Sequence, residues 1–183
     1  MNVFDIEKVK TSEGKMENIV QPEISLLDLP LSIISPERKD ICQQNLELLK
    51  VQKGVEDISS TIEKGNFGEL LTDIDMKEQG YERISEDRVT DVDQSGHKGI
   101  DGVYYNPKTD TYAIVESKYG SSQLGDTQDG RQMSWEWIDA RLDESVGERT
   151  ADRIREQHET NPENVKIMLA KVKGTEKVTY TSL

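Results

Sequence analysis

The chain has 183 residues, enough for one domain or one domain with an extension. Hydrophobic residues make up 33% and charged residues 32%, aromatics are few, and the formal net charge is −13. Such a chain repels nucleic acid and anionic membranes at long range, so a polyanionic partner requires a metal ion or a local basic patch. The single cysteine, Cys42, excludes an internal disulfide and is expected to be a small buried hydrophobe on a helix. That usage fits a reducing compartment, or a secreted Gram-positive protein that avoids thiols. No apolar run is long enough to span a membrane. The mixed, charged start MNVFDIEKVK does not read as a signal peptide. Export would then need a separate carrier or a larger parent chain.

In chain order, residues 1 to about 21 are polar and read as a flexible lead-in. The apolar stretch QPEISLLDLPLSIIS is broken by Pro22 and Pro30. Ser35-Pro36-Glu37 has the chemistry of a helix start, and Ile41, Leu46, Leu48, Leu49 and Val51 carry that helix to Lys53, where Gly54 stops it. A second helix is expected from about Ser60 to Gln79, with Phe67, Leu70, Leu71, Ile74 and Met76 as its apolar stripe and Gly80 as its stop. Gly65 and Gly68 weaken that helix and allow another backbone to come close. A short strand over 81–84 and a polar loop follow. Strands over 100–105 and 111–118 flank the turn-forming Asn106-Pro-Lys-Thr-Asp110, which predicts a β-hairpin. After a Gly-, Ser- and Asp-rich loop, helices are expected over 131–142 and about 148–158, then strands over 165–172 and 177–180. The order predicts a mixed α/β sandwich.

The hairpin carries the chemistry. Along the strand YAIVESKYG, alternation puts Glu116 and Lys118 on one face. The opposite strand starts at Asp101, which an antiparallel pairing brings to Glu116. On its own, such a pair at a strand end reads as a solvated surface in preference to a site. Two adjacent carboxylates repel, and a divalent cation removes that cost. Hard oxygen donors suit Mg²⁺ or Mn²⁺, with Zn²⁺ also possible. A lysine beside them can orient a water or stabilise charge on a phosphate.

The pattern Asp101, hairpin turn, Glu116-x-Lys118 resembles the PD-(D/E)xK nuclease superfamily, and Glu69, within KGNFGELL, stands where those enzymes carry a helical acid. The words GNFGE, GHKGIDGVYYN, ESKYGSSQLG and DGRQMSWEWI are similar to C-terminal nuclease domains of bacterial polymorphic toxins, as in contact-dependent growth inhibition and LXG systems. The likeness is strong over residues 62–142, loose over the last two strands, and absent from 1–60. Ile100 replaces the proline that the superfamily places before its first Asp.

The resemblance implies a restriction-endonuclease-like core, a mixed β-sheet flanked by helices, over 61–183, with 1–60 as an extension. It implies Asp101, Glu116 and the Ser117 carbonyl as metal ligands, with Glu69 holding a metal-bound water or a second metal. Lys118 would position the attacking water. The substrate would be nucleic acid, DNA in preference to RNA such as transfer RNA. The toxin would be delivered into a target cell as part of a larger protein and blocked by a cognate immunity protein. A catalytically inactive acidic binding module is the reading from another class.

Around this centre, His97 and Lys98 are candidates for phosphate contact, and Gln132 and Ser134 could face the site from a helix start. Trp135 and Trp137 read as core in preference to a base-stacking platform. His158 reads as surface, and Glu148, Asp152, Glu156 and Glu159 as a solvated acidic face.

Overall fold

The computed structural model describes residues 7–10, 16–19, 35–96 and 98–183. The chain divides into two compact units, Met1–Pro36 and Glu37–Leu183. In the first, β1 (Glu7–Lys10) pairs antiparallel with β2 (Met16–Ile19). These two strands fall within the lead-in expected over residues 1 to about 21, the rest of which lies outside the described residues. The apolar residues 21–34 lie outside the described residues.

The second unit opens with α1 (Pro36–Gln52) and α2 (Thr61–Glu78). Gly54 follows α1 with φ +66 and Gly80 follows α2 with φ +87, the left-handed backbone that ends helices. Ser60 and Glu63 form a reciprocal capping box at the start of α2. Strands β3 (Glu82–Arg83), β4 (Gly102–Asn106) and β5 (Thr111–Tyr119) come next. A small ribbon, β6 (Asp126–Thr127) with β7 (Gly130–Arg131), precedes α3 (Trp135–Val146) and α4 (Glu148–Thr160). The chain closes with β8 (Val165–Lys173) and β9 (Lys177–Ser182).

Five strands form one mixed sheet in the order β3-β4-β5-β8-β9. Only β5 and β8 run parallel, and α3 and α4 supply the crossover between them. β5 is central and buried on both faces along its first seven residues, as a strand covered on two sides must be. Its even residues Tyr112 and Ile114 pack with Trp137, Ile138, Leu142 and Ile154 of α3 and α4. Its odd residues Ala113 and Val115 pack with Met76 of α2. Val51 of α1 joins Phe67, Leu71 and Val172 in a further cluster on that second side. The sheet is therefore flanked by helices on both faces, the mixed α/β architecture expected. The compact unit starts at Glu37, so α1 belongs with the sheet, whereas the sequence boundary fell at 60/61.

Three local expectations are corrected. α1 buries Gln44, Glu47 and Val51, leaving Leu46 and Leu49 about half exposed and Cys42 exposed. Positions 44, 47 and 51 share one helix face, and Cys42 falls on the other side. The helix expected from 131 begins at Trp135, because Met133 has φ +68 and cannot lie within it. His158 stacks its ring on Trp135 at 3.5 Å and is half-buried. The acidic residues Glu148, Asp152, Glu156 and Glu159 are exposed as expected. Among the described residues, no helix is long and apolar enough to cross a membrane.

Candidate active site

The antiparallel register sets Gly102 opposite Val115, so Asp101 meets Glu116 one step further on. Both carboxylates sit at the end of the β4–β5 hairpin, on the floor of a cleft of about 770 Å³. Glu116 is 1% exposed. Its Oε1 accepts from Lys118 Nζ at 2.6 Å and from Gln132 Nε2 at 2.5 Å. Its Oε2 is buried and has no hydrogen-bond partner. Asp101 Oδ2 accepts the Ser117 backbone N–H at 2.8 Å. Alternation along β5 thus places Glu116 and Lys118 together, as the sequence suggested, and the Ser117 N–H, not its carbonyl, faces Asp101.

Glu69 comes from the other side of the sheet. A Cβ at Gly68 would lie 3.1 Å from Ser117 Oγ and 3.8 Å from Tyr119 Cβ. Glycine is what lets α2 approach the end of β5 this closely. Ser117 Oγ and Thr72 Oγ1 share a hydrogen bond at 3.1 Å across the same contact. The next residue, Glu69, then lines the cleft together with Asp101 and Glu116.

Proton affinity reports this crowding. Burial raises Asp101 well above the ordinary carboxylate range, and the charges of Glu69 and Glu116 push it further. Burial also raises Glu116, against the opposing attraction of Lys118. Among the described residues, no three His, Cys, Asp or Glu side chains form a ready-made metal-ligating group. The carboxylates are held by Lys118, Gln132 and the Ser117 amide. They nevertheless suit a hard divalent cation: the donors are all oxygen, the negative charges are close, and Glu116 Oε2 has no other partner.

Of the outer candidates, Lys98 lines the cleft. Gln132 lines it too, but its amide is engaged by Glu116 and by the Gly125 N–H. Ser134 does not line it; its hydroxyl caps α3 by accepting the Trp137 N–H. His97 lies outside the described residues. Trp137 is 3% exposed and packs in the core, as expected. Sequence reasoning missed Lys64 and Arg141, which bring cationic groups to the cleft. Arg141 is 4.3 Å over the Trp137 ring and pairs with Asp129 at 2.7 Å. One turn of α3 separates Trp137 from Arg141, so a helix-period reading around the tryptophan could have found it. Compared with protein-family models, curated proteins and solved structures, the chain matches none.

Proposed function

We propose that this chain is a metal-dependent nuclease domain of the PD-(D/E)xK type that hydrolyses phosphodiester bonds. The observation that carries the reading is the convergence of Glu69, Asp101, Glu116 and Lys118 on one cleft, with a Glu116 oxygen buried and unpartnered. In this reading Asp101, Glu116 and the Ser117 carbonyl hold a divalent cation, Mg²⁺ by default, with Mn²⁺ and Zn²⁺ as alternatives, and Glu69 stands beside it. When bound, such an ion supplies Lewis-acid stabilisation of phosphoryl charge and acidifies a water. Lys118 points its ammonium into the cleft beside Glu116, where it can orient a water and stabilise developing negative charge. Lys64, Lys98 and Arg141 offset, locally, the repulsion of a polyanion by a chain of charge −13.

DNA is the preferred substrate, with RNA, transfer RNA included, as the alternative. The biological setting that fits is a toxin delivered into a competing cell as part of a larger protein and neutralised by a cognate immunity protein. The test uses the purified chain, plasmid and total RNA, with and without EDTA. Cutting that needs a divalent ion is expected; intact substrates under Mg²⁺, Mn²⁺ and Zn²⁺ alike would sink the proposal. Glu116→Gln and Lys118→Ala should each lower the rate by about two to four orders of magnitude while the fold survives. Net charge −13 favours a second reading, an acidic binding module. Metal titration by calorimetry separates the two, since a module would bind no ion that depends on Asp101.

A further inference from the structure

Arg83 does not line the cleft, yet it reaches the cleft's floor from behind. Its side chain is 3% exposed, on the short edge strand β3. Nη2 donates to the Asp101 carbonyl at 2.8 Å and to the Asp87 carbonyl. Nε donates to the Ser85 carbonyl at 3.3 Å, and Nη1 donates to Asp73 Oδ1 of α2 at 2.6 Å. Asp73 is itself surrounded. It accepts from Gln44 Nε2 of α1 at 2.8 Å and from the Tyr104 hydroxyl of β4. Asp101 is thus gripped twice: the main chain by Arg83, the carboxylate by the Ser117 N–H at 2.8 Å.

The fork matters. One guanidinium spans a carboxylate on a helix and a carbonyl at the start of a strand, and holds both in fixed directions. A lysine has one ammonium and cannot hold both in that geometry. Burial disfavours the arginine's charge, but its anionic and polar surroundings, Asp73 foremost with Tyr104 and Glu69, together outweigh that, so the group stays charged.

We propose that Arg83 is a positioning residue for the cleft: it fixes the backbone of Asp101 and, through Asp73, ties that setting to α1 and α2. Its effect on cutting rests on the nuclease reading; its effect on Asp101 does not. Residues 1–60 show no likeness to the toxin nucleases, yet Gln44 of α1 becomes part of the support of the active residues.

The test compares Arg83→Lys with Tyr104→Phe in the full chain. Both variants remove a hydrogen bond from Asp73, but only the first releases the Asp101 carbonyl. Three readouts apply: thermal midpoint, hydrogen exchange of the Ser117 amide by NMR, and kcat and KM on the substrate that the wild type cuts. In Arg83→Lys the Ser117 amide should exchange about tenfold faster or more, with kcat down about ten- to a hundredfold and KM little changed. Tyr104→Phe should keep wild-type values of both. A folded Arg83→Lys with a normally protected Ser117 amide overturns the proposal. So does a Tyr104→Phe with the same losses, which would mark the whole cluster as mere packing. If Arg83→Lys does not fold, Asp73→Asn takes its place: loss of Ser117 protection supports the proposal and normal protection overturns it. If the wild type cuts nothing, the nuclease reading fails, and the amide exchange still decides this one.

Discussion

Asp101 and Glu116 carry the main tension in this structure, and pH should expose it. Burial raises both above their unfolded values, aided at Asp101 by Glu69 and Glu116. For a carboxylate raised on folding, the native state holds more protons than the unfolded one. Stability therefore falls as pH rises from the ordinary carboxylate values, about 4, through the raised ones. Without added divalent cation, the urea midpoint should be higher at pH 5 than at pH 8. Asp101→Asn should reduce that difference, and added Mg²⁺ should raise the midpoint at pH 8. An identical pH profile for wild type and Asp101→Asn would show that the pair is not strained. A second expectation concerns Gly102, where an added Cβ would collide with the Tyr104 ring. That ring is buried and its hydroxyl is bound to Asp73. Gly102→Ala should cost about 1–3 kcal/mol in chemical denaturation, as overpacked positions do. A change below 0.5 kcal/mol, on the order of ordinary surface scatter, would mean that the ring moves freely.

At the scale of elements, local signals were legible and tertiary ones were not. Gly54, Gly80 and the Asn106–Asp110 turn act within a few residues, so the sequence shows them directly. The placement of Glu116 and Lys118 follows from strand alternation, and that of Asp101 from pairing across the hairpin. The start of α3 at Trp135 was hidden because it depends on Met133 taking a left-handed backbone, which no local preference announces, whereas the two-residue strands of the ribbon at 126–131 are too short to show a pattern. The inward face of α1 was hidden for another reason. Gln44 is buried to serve Asp73 and the Val89 carbonyl, partners 29 and 45 residues away. A hydrophobic pattern cannot foresee a polar core residue, and Arg83 escaped notice in the same way. The consequence is testable by truncation. A chain starting at residue 61 removes Val51 from its cluster and takes Gln44 from Asp73. It should fail to give a cooperative thermal transition. A cooperative, equally stable 61–183 fragment would show that α1 is dispensable.

Across the whole molecule, the charge distribution sets how the proposed substrate is met. Lys64, Lys98, Lys118 and Arg141 line the cleft of a chain with net charge −13. With four such groups, the logarithm of kcat/KM should fall with the logarithm of salt no more steeply than about −4 on duplex DNA. A steeper slope would reveal phosphate contacts far outside the cleft.

The sheet order also has a kinetic side. β4 and β5 are joined by a turn of a few residues, but β5 meets its parallel neighbour β8 only after the ribbon and two helices. Contacts near in sequence form early in folding, and distant ones late. The hairpin that brings Asp101 against Glu116 is the more local of the two pairings, and we expect it to close before β8 covers it. The two carboxylates then meet while still in water, where their repulsion is weak, and the cost set by burial falls on the later step that covers them. On the proposed reading, a divalent cation would ease that covering step as well as serve the reaction.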